Sequence, residues 1–153
     1  MNNHKRPLAG LLLALGLLVA PKAQAQHYDF EYKPDENHSV FIILSEVWAE
    51  ANEITAEVAK FNQREFGGAQ LQIMRYKMPY ISKQPVLFVT NLKSEAQALD
   101  YYRRLYEPFN KPDFMQMGIV EMAFPISDFN FNQVLLRESL DGYEAFFLAN
   151  YRP

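Results

Sequence analysis

Two short apolar runs stand out along this chain. Val86-Leu87-Phe88-Val89 lies between Pro85 and Asn91, and an unbroken apolar run of strand length bounded by turn formers reads as a strand in mid-sheet or covered on both faces. Val40-Phe41-Ile42-Ile43-Leu44 has the same character further upstream. We expect Pro85 to Leu92 to form a central strand with the earlier run beside it.

Between the two runs the period changes. Val47, Ala51, Ile54, Val58 and Phe61 recur at three and four as far as Glu65 or Phe66, the apolar stripe of a helix lying on a sheet. Gly67-Gly68 would end it by offering a positive φ. From Gln70 to Met78, Leu71, Ile73, Arg75 and Lys77 alternate with Gln72, Met74 and Tyr76, which predicts a strand with one covered face, stopped by Pro79. Its closeness to the central run predicts an antiparallel hairpin.

Ser94 with Gln97 is a capping-box pair, and Ala98, Tyr102, Leu105 and Tyr106 supply the helical stripe behind it up to Glu107, since Pro108 cannot continue the helix. Residues 109–117 read as a loop around Pro112, and Gly118 to Pro125 as a fourth strand. Ser127 can cap a short helix to Leu136 with Phe131, Val134 and Leu135 inward, and Ser139 or Asp141 starts a last helix carrying Tyr143, Phe146, Phe147 and Tyr151.

The order β-α-β-β-α-β predicts an α+β, ferredoxin-like antiparallel sheet with helices on one face and a C-terminal helical extension. In that topology the first and third strands are central, and those are the two continuous apolar runs. The single domain spans 40–153. Residues 26–39 read as a polar leader around Pro34-Asp35-Glu36-Asn37, with Tyr28, Phe30 and Tyr32 alternating as in an extra edge strand.

The first 25 residues read differently. Lys5 and Arg6 precede an apolar stretch from Leu8 to Ala20, and Ala23-Gln24-Ala25 is a small-x-small cleavage site, the layout of a secretory signal peptide. The stretch is short against the roughly 20 residues of a membrane span. With no cysteine in the chain, lipoprotein processing, disulfides and thiol chemistry are all excluded. We expect an exported, periplasmic protein beginning at Gln26, with no membrane span after cleavage.

Cleavage removes Lys5, Arg6 and Lys22, leaving 12 of 15 basic residues against 18 acidic ones, a net charge of −6. Such a balance argues against nucleic acid and anionic membranes as partners. A hydrophobic content of 49% is ample for a core at this length.

Candidate chemistry is sparse. His27 and His38 lie in the polar leader outside any metal-binding spacing, and we expect both to face solvent. Nucleophile elbows and phosphate-binding glycine loops are missing from the sequence. The acid pairs Asp141 with Glu144 and Glu46 with Glu50 read as wet helix faces. No enzyme and no cofactor is therefore expected.

The segment Met74-Arg75-Tyr76-Lys77-Met78-Pro79-Tyr80-Ile81-Ser82-Lys83 interleaves basic and aromatic residues within an acidic chain, on a strand that the topology puts at the sheet edge. Arg75, Tyr76, Lys77, Tyr80 and Lys83 are the candidate partner-binding residues, by glycan stacking or by addition of an extended peptide. The competing reading makes Arg75 and Lys77 guards that keep an edge strand from aggregating. Many of the Tyr and Phe side chains fall in the C-terminal half; if the uncovered sheet face is also aromatic, a partner or the C-terminal helices must cover it.

Four stretches carry a resemblance: Phe61-Asn62-Gln63-Arg64-Glu65-Phe66, Leu92-Lys93-Ser94-Glu95-Ala96-Gln97-Ala98-Leu99-Asp100-Tyr101-Tyr102, Phe124-Pro125-Ile126-Ser127 with Asn130-Phe131, and Tyr143-Glu144-Ala145-Phe146-Phe147-Leu148-Ala149-Asn150-Tyr151. Together they make residues 39 to 151 resemble the C-terminal globular domain of large tetratricopeptide lipoproteins of the type IX secretion and gliding-motility apparatus of Bacteroidetes. The chain has neither the helical repeats nor the lipidated cysteine of those proteins. The resemblance implies a stand-alone exported domain that works by contact with an envelope protein and brings no catalytic residues with it. The second expectation is a peptidoglycan-binding module like the SPOR domains, which share the βαββαβ layout, although the first strand here lacks their Gln-x-Gly-Ser-Phe opening.

Overall fold

A computed structural model describes residues 30–45, 51–83 and 85–151. The expected signal peptide, His27, Tyr28, Glu46, Val47 and Glu50 lie outside the described residues. The elements run β1 (His38–Leu44), α1 (Ala51–Phe66), β2 (Gln72–Tyr76), β3 (Val86–Leu92), α2 (Glu95–Leu105), α3 (Asp113–Gln116), β4 (Val120–Ser127), α4 (Asp128–Arg137) and α5 (Tyr143–Asn150). The class is α+β, with a four-stranded antiparallel sheet in the order β2-β3-β1-β4. Both continuous apolar runs are interior strands, as their patterns require.

Every residue of β1 is buried, and so are Val86 to Val89 of β3. Side chains alternate across a strand, so an unbroken apolar run is stable only where both faces are covered. Val40, Ile42, Leu44, Leu87 and Val89 point to one face, under Ile54, Val58 and Phe61 of α1 and Ala98, Tyr101 and Leu105 of α2. Phe41, Ile43, Phe88, Phe124 and Ile126 point to the other, under Val134 of α4 and Tyr143, Phe146 and Phe147 of α5. The two crossover helices share one face, as expected, and the C-terminal helices close the second. Full burial of such side chains contributes about 1.5–3 kcal/mol each.

The stretch read as a polar leader is docked onto the fold from residue 30. Phe30 is buried against Tyr143 in an edge-to-face contact at 5.0 Å. The Asn130 side chain accepts from the Glu31 N–H (2.9 Å) and donates to the Glu31 carbonyl (2.8 Å), while the N–H groups at the starts of α2 and α4 donate to the carbonyls of Pro34 and Asn37. The sequence hides this because the pairing groups are backbone, which polar composition does not reveal. His38, expected in solvent, begins β1 and is only 1% exposed.

Three local expectations change. Gly67 and Gly68 do not take the positive φ; Gln70 does (φ 50), and a Cβ on Gly67 would lie 2.8 Å from the Gln63 carbonyl oxygen, so close approach rather than handedness demands that glycine. The loop 109–117 contains the short helix α3. Leu135, expected inward on α4, is 38% exposed.

Candidate functional site

The sheet has two edges, and the fold treats them differently. At the β4 edge, the Ala123 N–H donates to the Tyr106 hydroxyl (3.2 Å), and that hydroxyl donates back to the Ala123 carbonyl (3.4 Å). Both Ala123 backbone groups therefore face away from β1, toward the C-terminal cap of α2 where Tyr106 sits. Two residues on, Pro125 has no N–H, and its carbonyl accepts from the Tyr143 hydroxyl at 2.7 Å. At Ala123 and Pro125 the outward-facing groups are thus satisfied or missing, which blocks a further strand along the middle of this edge.

The β2 edge is open. This strand pairs with β3 from Gln72↔Thr90 to Tyr76↔Val86, and among the described residues no segment pairs with its outer side. Met74 is 43% exposed, and Arg75 and Lys77 are exposed beside it.

The pleat divides the predicted residues. Arg75 shares a face with Ile73, and its guanidinium donates to the Asn52 side chain of α1. Tyr76 lies on the other face, with its ring 5.0 Å from Phe88 and 5.7 Å from Phe131. Lys77 follows the strand end, and Lys83 is exposed in the connection to β3. Tyr80 belongs elsewhere: it lines a cleft of about 370 Å³ with Met122, Phe124, Tyr143, Asp141 and Glu144. Burial, followed by the charge of Glu138, raises the pKa of its phenol. The segment read as one basic-aromatic patch is therefore an edge with two chemically different faces plus a tyrosine in a separate cleft.

Each face of β2 borders a recess that periodicity alone could not locate. On the α1 face, Leu71 and Ile73 line a hollow of about 330 Å³ with Ala59, Asn62 and Phe66. On the α4 face, Met74 and Tyr76 line one of about 300 Å³ with Phe88, Thr90 and Phe131. The sequence signal for them is the alternation of Leu71 and Ile73 with Met74 and Tyr76; their walls come from distant helices. Among the described residues no group of three or more His, Asp or Glu is placed to hold a metal, and no helix is long and apolar enough to cross a membrane. Comparison with protein-family models, with curated proteins and with solved structures finds no match for the chain.

Proposed function

We propose that this is a non-enzymatic, periplasmic protein-interaction module of the bacterial cell envelope that takes its partner along β2. The observation that carries the reading is the asymmetry of the edges: β4 is closed by Tyr106, Tyr143 and Pro125, while β2 presents its outer side with an exposed Met74 and Arg75. A fold that seals one edge and leaves the other open has a use for the open one, because an unprotected edge is otherwise an aggregation hazard. We read the fold as ferredoxin-like, a split βαβ, on the strength of the order β2-β3-β1-β4 and of the two crossover helices sharing one face. Service to type IX secretion or gliding machinery rests on the resemblance carried by the four stretches from Phe61 to Tyr151. The peptidoglycan reading draws on the same strand order, but α4 and α5 cover much of the sheet face opposite α1 and α2, where a glycan would lie.

Site-specific photo-crosslinking in native envelopes tests the proposal. A crosslinker replacing Met74 should give a discrete protein adduct, and one replacing Glu121 on the sealed strand should not. The same adducts from both positions, or none from Met74, would remove the reading, and co-sedimentation with purified sacculi would favour the wall-binding module instead.

A further inference from the structure

We propose that the β2 edge recognises an extended peptide segment carrying apolar side chains on both faces and a carboxylate opposite Arg75. This rests on the reading of β2 as the docking edge.

A strand laid beside β2 inherits its pleat, so each added residue points to the same face as the β2 residue opposite it. The residue opposite Ile73 lies over the recess formed with Ala59 and Phe66, and the residue opposite Met74 lies over the recess formed with Phe88 and Phe131. Consecutive positions of the ligand thus meet hollows on opposite faces, each with an apolar wall: Phe66, Leu71 and Ile73 on one, Met74, Tyr76, Phe88 and Phe131 on the other. Backbone pairing supplies affinity in this mode, and pockets for alternate side chains supply specificity.

Charge sets the next position. Arg75 is the one charged residue within Gln72–Tyr76, it is exposed, and its bond to Asn52 holds it on the α1 face. A carboxylate opposite it gains a cross-strand ion pair. The position opposite Tyr76 returns to the α4 face beside two aromatic rings and takes an apolar residue. Opposite Ile73 to Tyr76 the ligand therefore reads apolar, apolar, acidic, apolar. A second copy of this chain does not fit that pattern: β2 has no acid to offer, and antiparallel self-pairing about Met74 sets Arg75 against Ile73.

Fluorescence anisotropy with labelled synthetic peptides tests the pattern on the purified protein. The probes are Ser-Thr-Val-Val-Glu-Val-Thr-Ser and its reversed-order partner Ser-Thr-Val-Glu-Val-Val-Thr-Ser, since the strand can add in either direction. One order should bind saturably, and exchanging its Glu for Lys should weaken binding about fivefold. Arg75→Glu should reverse that preference. Ala59→Trp, at an exposed position, fills the α1-side recess and should weaken binding about tenfold while leaving the fold intact. Neither order binding, or a charge preference unmoved by Arg75→Glu, overturns the proposal; so does a concentration-dependent dimer that Arg75→Glu dissolves. A Met74 adduct that persists when both peptides fail would overturn only the ligand pattern, whereas loss of the adduct as well would remove the docking edge itself.

Discussion

Nε2 of His38 lies 3.0 Å from the hydroxyl of Tyr151, joining the first residue of β1 to the residue that follows α5. The other ring nitrogen, Nδ1, is 2.9 Å from the Glu36 carbonyl, which can only accept. Nδ1 therefore carries the proton, and Nε2 accepts from Tyr151. This neutral, buried imidazole fastens the segment before the sheet to the C-terminal helix.

That arrangement predicts a pH dependence of stability. Burial dominates and pushes the His38 pKa below its ordinary 6.5, with the Glu36 carbonyl and the charges of Glu95, Asp128 and Glu36 opposing only in part. A histidine with a lowered folded pKa binds its proton first in the unfolded chain, so its stabilisation is complete above about pH 6.5 and declines as pH falls toward the folded value. Urea unfolding followed by circular dichroism should show the midpoint dropping between about pH 7 and about pH 5. His38→Gln keeps a neutral donor and acceptor and should flatten that part of the profile. An unchanged slope in His38→Gln would show that other groups carry it.

Sealing of the β4 edge predicts a second phenotype. Tyr106→Phe removes the hydroxyl that serves both backbone groups of Ala123, and Tyr106 is exposed enough for water to take its place. The stability cost should be modest, about 0.5–1.5 kcal/mol. The larger effect should be self-association through the newly open edge. Size-exclusion chromatography over a concentration series checks this, and a variant that stays as monodisperse as the parent would show that Tyr106 does not guard the edge.

The strands and the stripe of α1 were legible because their signals are local: unbroken apolar runs for β1 and β3, alternation for β2, and a three-four period through Ile54, Val58 and Phe61. The cap of α2 was legible for the same reason. Ser94 accepts from the Gln97 N–H, while Gln97 reaches the N–H of Lys93 rather than that of Ser94. What stayed hidden depends on partners far apart in the chain. His38 reads as polar leader until Tyr151 is brought beside it, and the recesses flanking β2 need Phe131 and Ala59 for walls. Arg75 and Tyr76 are neighbours in sequence, yet the pleat sends them to opposite faces. The basic-aromatic segment is thus continuous along the chain and divided over the surface.

A buried hydrogen bond between the two crossover helices offers a double-mutant test. The Tyr101 hydroxyl donates to Asn62 Oδ1 at 2.6 Å, and Asn62 Nδ2 is buried without a partner among the described residues. Tyr101→Phe alone strands the Asn62 amide and should cost about 1–3 kcal/mol. Adding Asn62→Leu removes the stranded polar group, so the double variant should recover much of that loss. Additive losses in chemical denaturation would contradict the pairing.

The two glycines after α1 should respond oppositely to the same substitution, although both read alike as a helix stop. A Cβ on Gly67 would meet the Gln63 carbonyl oxygen at 2.8 Å, a backbone atom that cannot turn aside, so the end of the helix has to shift. Gly67→Ala should therefore destabilise by about 1–3 kcal/mol, the usual range for forced overpacking. Gly68 has open space where a Cβ would stand and no positive φ, so alanine fits without strain. There the dominant effect is on the unfolded chain, which loses conformational freedom, and Gly68→Ala should stabilise by about 0.4–1 kcal/mol. Thermal unfolding of the two variants side by side separates the causes. If both were destabilising, handedness at the helix end would outweigh contact, and the left-handed turn now borne by Gln70 would have to be shared with Gly68.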